Sequence, residues 1–383
     1  MKSSSNGGTE FFAVFLLTML VAVELLGSVL VWQTGLVPAE LLGLGCGVLG
    51  LLTLLIARGM FPKGERFVLG KRFAACLVSV CLTAGCVAGS FVALEVSNSL
   101  DMMFGSQGAP LTAAPQNPEK EPFIVYLGGS DTRSGQLTKS RSDVNILAVV
   151  NPNTQQVLLV NTPRDYYVSN PAGNGAKDKL AHCGLYGLDN SKETLSRLYG
   201  LPVAYGAVIN FKGFESLIDA IGGVTVYSEK AFTTTVGGYA IQKGENRLNG
   251  AQALAFARER SKLAGGDNAR GENQMQVLAA MVRQLSAGNV LGRWREILNS
   301  LEGMFTTDMS LQTIGRLLTS ELDDLEDWEL FSTAVTGTGG TDYNWSSKGN
   351  AYVMYPDDSV GRVASLMERV MAGQRIAAEN VNP

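Results

Sequence analysis

The sequence predicts an α/β protein in two parts: three N-terminal membrane-crossing helices, followed by an outer layered α/β domain. Three long apolar runs fill the first hundred of its 383 residues. A basic loop separates the second run from the third, and beyond them short apolar strands alternate with amphipathic helical segments. Strands interleaved with helices are the pattern of a layered α/β domain.

The runs are Phe11–Trp32, broken only by Glu24, then Val37–Ile56, with Glu40 near one end, and Phe73–Leu94, which carries no charge. Each is close to the ~20 residues that cross a bilayer core. Three runs in succession, with no basic segment beyond Lys2 ahead of the first, argue against a cleaved signal peptide. The loop Arg58–Arg72 holds five basic residues and one acidic, whereas the linker between the first two runs holds no basic residue. The positive-inside bias therefore puts residues 1–10 and this loop in the cytoplasm, makes 11–96 a multi-pass anchor in the lipid bilayer, and leaves everything after Leu94 outside the cell.

Composition narrows the class. A formal net charge of −4 gives no basic surface for nucleic acid. Cys46, Cys76, Cys81 and Cys86 lie inside the apolar runs, and Cys183 stands alone outside them. The outer domain thus forms no internal disulfide and has no zinc-type spacing. A disulfide-free exterior fits a bacterial cell membrane.

Residues 97–122 read as a linker rich in Gly, Pro, Ala and Gln, residues 123–372 as the domain, and 373–383 as a flexible tail. Within the domain, strands are expected at Phe123–Leu127, Val144–Val150, Val157–Asn161, Ala207–Asn210, Val224–Tyr227 and Glu329–Ala334. Helices are expected at Asp189–Tyr199, Phe211–Ile221, Gly250–Arg260, Arg270–Ser286, Val290–Leu301, Leu311–Leu322 and Ser359–Met371. Tyr239–Asn249 reads as an irregular hairpin. Gly222-Gly223 is a good helix stop.

The stretch Val160-Asn-Thr-Pro-Arg-Asp-Tyr-Tyr-Val168 organises the rest. Proline cannot donate to a sheet ladder and pushes its predecessor toward an extended conformation, so Thr162-Pro163 closes a strand. Arg164 and Asp165 follow at the strand's C-terminal end, where open α/β sheets place ligand sites. A simple strand-end ion pair is the alternative. Other charges sit on similar loops: Asp131, Arg133, Arg141, Asp143, Arg258, Arg260, Asp267 and Arg270. Clustered arginines suit phosphate, because each planar fork donates two parallel hydrogen bonds and keeps its charge. Carboxylates among them suit a hard divalent ion that shares the phosphate oxygens. Together they are what pyrophosphate chemistry needs, since the main task is to neutralise charge as the phosphoryl group moves. Each charge taken alone reads first as a solvated loop charge or an ion-pair partner.

Five segments in order, Gly129-Ser-Asp-Thr-Arg133, Arg141-Ser-Asp143, Thr162-Pro-Arg-Asp165, Leu248–Arg260 and Gly266–Gln274, resemble the successive motifs of the LytR-CpsA-Psr phosphotransferases. Lys179-Leu-Ala-His-Cys-Gly184 and Ile209-Asn-Phe211 with Ile218–Val224 are similar as well. The resemblance implies a central mixed sheet with helices on both sides and an apolar tunnel for a prenyl chain. It implies transfer of a glycopolymer (teichoic acid, capsule or other wall polysaccharide) from an undecaprenyl-pyrophosphate carrier to a peptidoglycan hydroxyl, as a phosphodiester. By motif position Asp131 and Asp143 hold Mg²⁺, with Mn²⁺ as the alternative. Arg141, Arg164, Arg258, Arg260, Arg270 and Gln274 grip the pyrophosphate, and Asp267 is the candidate base. The family's last motif often has Arg where this chain has Asn273, which puts one phosphate contact in doubt.

His182 is the only histidine and no Gly-x-Ser-x-Gly accompanies it, so a hydrolase triad has no support. Gly128-Gly129 lacks the lysine of a P-loop. Tyr166 and Tyr167 read either as a sugar-stacking pair or as a packed strand edge. Two rival functions remain at this level: a hydrolase of the same prenyl pyrophosphate, and a non-catalytic envelope regulator that senses the lipid-linked glycan.

Overall fold

The computed structural model describes residues 6–34, 39–60, 77–89, 114–132, 137–260, 267–286, 297, 301, 303–310, 313–314, 316–317 and 328–381. The chain divides into two compact units, Met1–Asp101 and Met102–Pro383.

In the first unit, helices α1 (Asn6–Thr34), α2 (Ala39–Met60) and α3 (77–89) fall on the three apolar runs. Polar atoms on α1 and α2 find each other: Thr53 Oγ1 donates to Glu24 Oε1 at 2.6 Å, and Cys46 Sγ lies 3.3 Å from Ser28 Oγ. Among the described residues no helix presents a stretch long and apolar enough to cross a membrane. The ends of the third run lie outside the described residues.

The second unit is built on strands β1 (Phe123–Ser130), β2 (Ser142–Asn151) and β3 (Gln156–Asn161), which form an antiparallel meander. Next come β4 (Tyr167–Asn170), β5 (Ala176–Lys179), the one-turn α4 (Leu180–Cys183), α5 (Leu188–Tyr199) and β6 (Tyr205–Asn210). They are followed by α6 (Phe211–Ala220), β7 (Val224–Ser228), β8 (Phe232–Thr233), β9 (Ala240–Ile241), β10 (Gly244–Leu248), α7 (Gly250–Arg258) and α8 (Asp267–Ser286). The chain closes with β11 (Phe305–Thr307), β12 (Glu329–Ala334), the hairpin β13 (Gly337–Asn344) and β14 (Gly349–Pro356), α9 (Ser359–Met371) and α10 (Ala378–Val381).

Six strands make the central sheet in the order β11-β6-β1-β2-β3-β12. The β1–β6 and β3–β12 pairs are parallel and the other three pairs antiparallel, so the sheet is mixed. Consequently β1, β3, β6 and β12 all end at one edge, and β2 begins there. Alternation along the strands then feeds two cores. Ile124, Tyr126, Leu147, Val149, Leu158 and Val160 face Leu195 and Tyr199 of α5 and Val363, Met367 and Val370 of α9. Ile146, Ala148 and Leu159 face Met275 and Leu278 of α8 on the other side. This is an α/β/α layering.

Several elements depart from the sequence reading, each for a local reason. Tyr239–Asn249 is not a hairpin: β9 pairs with β8, whereas β10 pairs with β7. The Asn246 side chain bonds Gln242 N and O and Gly244 O, which bends the chain between the two strands and sends them to different partners. The helix expected over Gly250–Arg260 stops at Arg258, where Glu259 turns extended (φ −66°, ψ 134°). The stretch after Arg164 and Asp165, for which the sequence reading gives no element, contains the β4–β5 pair.

Residues 373–381, expected as a flexible tail, pack against the domain. Ile376 and Val381 are buried in the core, and the Gln156 amide clasps Ile376 from both sides, donating to its O and accepting from its N at 2.9 Å each. The helices expected at Val290–Leu301 and Leu311–Leu322 fall largely outside the described residues.

Candidate active site

The common edge where β1, β3 and β6 end carries a cavity of about 400 Å³. Its body is apolar, lined among others by Leu127, Ile146, Ile209, Phe214, Leu278 and Met281. Its lining also includes a charged and polar set, the arginine mouth: Asp143, Arg164, Arg258, Arg260, Arg270 and Gln274. Six side chains singled out from four separate sequence motifs thus meet at one place.

Each is placed by a distinct device. Pro163 ends β3, and Tyr166 N bonds Pro163 O at 3.1 Å, a turn that carries Arg164 over the sheet edge. Behind it Thr162 N bonds Asn145 O, and Thr162 Oγ1 lies 2.8 Å from Tyr199 Oη. Asp143 sits at the irregularity between Gly129↔Val144 and Ser130↔Ser142, where one extra residue on β2 bulges out of the ladder. The bulge rests on a buried hydroxyl set in which Tyr126 Oη reaches Ser142 Oγ at 2.7 Å and Asn145 Oδ1 at 3.0 Å. Burial pushes the Tyr126 phenol up to about 12, against the pull of the Ser142 hydrogen bond, so it stays protonated. Arg164 Nη1 donates to Asp143 Oδ1 at 2.5 Å, and its Nε lies 3.6 Å from Asp165 Oδ2.

Arg258 ends α7, and its guanidinium carbon lies 4.6 Å from the centroid of the Phe211 ring, which fixes the fork by cation–π attraction. Glu259 is buried and accepts from Thr235 N at 2.5 Å and Thr235 Oγ1 at 3.0 Å. The chain therefore turns about an anchored carboxylate, and Arg258 and Arg260 emerge on either side of it toward one space. A continued helix would have splayed them by about 200°. Arg270 and Gln274 lie four apart on α8 and share one face. Gly271 between them lets α8 approach β3, because a Cβ there would stand 2.2 Å from Asn161 Nδ2. Asn273, where the family often has Arg, is buried and donates to Phe256 O at 3.0 Å. It binds α8 to the end of α7 and takes no place in the mouth.

Three expected site residues lie elsewhere or are less defined. Asp131 is exposed, one residue past the end of β1 and beside the bulge that carries Asp143. Arg141 is exposed just before β2 and lines a small neighbouring depression with Ser130 and Ser140 instead of the cavity. Asp267 is the first residue of α8; its side chain lies outside the described residues. Among the described residues no group of three or more His, Cys, Asp or Glu side chains gathers as a metal site.

Sequence reasoning missed Lys179. Its Nζ pairs with Asp165 Oδ1 at 3.0 Å, and it lines a second cavity of about 360 Å³ together with Arg164, Asp165, Arg260, Tyr352 and Met354. Lys179 opens the family-like stretch Lys179–Gly184 but carried no role there, because a single lysine gives little signal. His182 is buried and structural: its Nδ1 lies 2.6 Å from Asp178 Oδ1, and Asp178 also accepts from Ser346. Burial opposes ionisation of Asp178, but the hydrogen bonds from His182 and Ser346 outweigh it and hold the carboxyl below the usual aspartate range.

An apolar cavity that four guanidinium groups also line has the chemistry to take an amphiphile with an anionic head, and the fold and site together define an α/β domain with an arginine-lined apolar cavity. The chain belongs to the LytR_cpsA_psr family, whose model matches residues 96–368. It is similar to the polyisoprenyl-teichoic acid–peptidoglycan teichoic acid transferase TagU of Oceanobacillus iheyensis, 34% identical over 254 residues that span 64% of this chain and 75% of that protein. The Bacillus subtilis TagU crystal structure matches with a TM-score of 0.51 and 26% identity, covering 67% of this chain and 100% of that one. A structure of TagT bound to LI-WTA shares the fold at a TM-score of 0.57 and 24% identity, covering 70% and 98%.

Proposed function

We propose that this chain transfers a glycopolymer of the teichoic acid class, or a comparable capsular or wall polysaccharide, from an undecaprenyl-pyrophosphate carrier to a peptidoglycan hydroxyl. The presence in one cavity of both an extended apolar lining and four arginines supports this reading, because a prenyl chain and its pyrophosphate differ in the same way. The names of the relatives supply the polymer and the acceptor.

In this reading Leu127, Ile209, Phe214 and Met281 seat the prenyl chain, and Arg164, Arg258, Arg260, Arg270 and Gln274 grip the phosphate oxygens. The acceptor oxygen forms a bond to the phosphorus that bears the polymer. The bond from that phosphorus to the bridging oxygen breaks, and prenyl monophosphate leaves with the electron pair. Asp267 takes the hydroxyl proton. The donor set at the bulge fits a hard divalent ion: two carboxylates, Asp131 and Asp143, with phosphate and water to complete the shell. Mg²⁺ or Mn²⁺ there would neutralise charge on the phosphate being transferred.

We further infer that residues 11–96 anchor the domain as a multi-pass segment, with the catalytic unit outside the cell. Leu25, Leu26, Leu44 and Leu54 are each more than 60% exposed on helices that are apolar all round, and such surface needs lipid.

Incubating the full chain in detergent with a prenyl-pyrophosphate glycan, Mg²⁺ and peptidoglycan oligomers tests the assignment. Linked product is expected. Release of prenyl phosphate with unlinked polymer would make the protein a hydrolase, and unchanged lipid would make it a non-catalytic sensor.

A further inference from the structure

The second cavity adjoins the first through Arg164 and Arg260, which line both. Its far wall is the β13–β14 hairpin, and the hairpin is fixed to the strand end that carries the arginine. Met354 N bonds Asp165 O at 2.8 Å, and Tyr166 pairs with Met354 in a parallel bridge. Two residues along, Tyr352 enters the cavity.

The register shows how Tyr352 is held. Thr341 lies opposite Tyr352, and Gly339 opposite Met354, so Tyr352 and Gly339 share a face as diagonal neighbours. A Cβ on Gly339 would stand 2.9 Å from Tyr352 Oη and 3.0 Å from Cε2. The ring therefore lies across bare glycine backbone, with one side against the strand and the other toward the cavity. It is 51% exposed. Tyr343, opposite Asn350, is on the same face and 50% exposed. On the other face, Tyr355 lies over Gly340 in the same manner, packs edge-on against Tyr167 at 5.8 Å, and is buried further by that contact. The two faces differ in that one aromatic set is used in packing and the other is left open beside phosphate-binding arginines.

An open aromatic ring offers area at little cost in conformational freedom, and its apolar face suits the C–H face of a pyranose. The in-line requirement of phosphoryl transfer then chooses between the sugars present. Prenyl phosphate departs into the first cavity, so the attacking oxygen comes from the other side of the arginine pair, where the second cavity lies.

We propose that Tyr352, flat over Gly339 and continued by Tyr343, is the stacking seat for the acceptor glycan, a β-1,4-linked N-acetylhexosamine chain, and so sets acceptor specificity. This rests on the transferase reading for which sugar is seated, and on the cavity alone for there being a sugar seat.

The test uses the full chain in detergent and a soluble N-acetylglucosamine–N-acetylmuramic acid tetrasaccharide without donor. Tyr352→Ala should weaken its Kd about ten-fold, as loss of an aromatic stacking partner does, and Tyr352→Trp should restore most of it. Gly339→Ala should weaken binding with the Tm unchanged, because its methyl displaces the ring and not the backbone. In the transfer assay Tyr352→Ala should raise the acceptor KM by a similar factor and move the donor KM by less than about two-fold. Wild-type protein that fails to bind the tetrasaccharide, or a Tyr352→Ala variant that binds it unchanged, overturns the proposal. So does a rise confined to the donor KM, which would assign the ring to the donor's sugar. If wild type makes no linked product yet binds the tetrasaccharide through Tyr352, the transferase reading falls and the sugar seat stands.

Discussion

Arg164 Nη1 and Asp143 Oδ1 meet at 2.5 Å, which joins the residue after β3 to the bulged residue of β2 across the mouth of the cavity. The contact ties a phosphate-type cation to a metal-type carboxylate. In the proposed reading Arg164 thus combines this structural pairing with a phosphate-binding role, and the two respond differently to lysine.

Lysine at position 164 keeps the charge and one bond to Asp143 but loses the paired fork. Arg164→Lys should therefore leave the Tm almost unchanged, since a partly exposed pair contributes about 0–1 kcal/mol. The loss of one charge-assisted hydrogen bond should lower kcat/KM about 10- to 150-fold. A Lys variant with wild-type kcat/KM would confine Arg164 to the ion pair.

Asp131→Asn and Asp143→Asn should each raise the Mg²⁺ concentration needed for half-maximal transfer, while changing stability by about 0.5 kcal/mol or less at exposed Asp131 and by about 0–1 kcal/mol at Asp143, which loses a partly exposed ion pair. Titrating Mg²⁺ and Mn²⁺ against both variants, with melting curves alongside, measures this. An unchanged metal requirement in both would remove the carboxylates from the metal site.

Gly271→Ala places a methyl within 2.2 Å of Asn161 Nδ2 and should push the start of α8 off β3. Overpacking of this kind costs about 1–3 kcal/mol. Because Arg270 and Gln274 ride on the same turn, activity should fall along with stability. Combining it with Asn161→Ala makes room and should recover much of both, which a double-mutant cycle would read as coupling.

The Asp178 carboxyl is held below its ordinary value of 3.8 in the folded chain. A depressed folded value gives stability that is fully present above the unfolded value and is lost as pH falls through the folded one. Urea midpoints should thus drop below about pH 4. Asp178→Asn should remove that acid-side component and lower stability at neutral pH by about 1–3 kcal/mol, because His182 and Ser346 lose a charged acceptor.

Ile376→Ala should cost about 2–5 kcal/mol, the range for buried aliphatic truncation. A flexible tail would give no change in the urea midpoint.

Legibility followed periodicity. Helix Ser359–Met371 and strand Glu329–Ala334 have the bounds that their apolar spacing gives. The β13–β14 hairpin was opaque because glycines at 337, 339 and 340 weaken a strand pattern, and the tyrosines that cover Gly339 and Gly340 come from the partner strand. The packing of the tail was not legible because its many small and polar residues hide two anchors, Ile376 and Val381. At the site, the arginines of α7 and α8 and the Thr-Pro-Arg turn were legible as motifs. Their convergence was implied by the family resemblance and not by the spacing itself, since it depends on Glu259, Gly271 and Asn273, whose side chains or lack of one act through partners distant in sequence.

The Gln156 amide that clasps Ile376 reaches across 220 residues, and β12, which completes the sheet beside β3, begins 173 residues after Gln156. The β1–β2–β3 meander can form as soon as residue 161 is made, yet its outer strand then stays an open edge until β12 arrives. Unpaired edges recruit foreign strands, and pairings this distant close slowly. Synthesis at about 5–20 residues per second leaves that edge bare for roughly ten seconds or more. The emerging chain is thus most vulnerable to mispairing in the interval between residues 161 and 334, and most of the motifs that later form the arginine mouth are made during that wait.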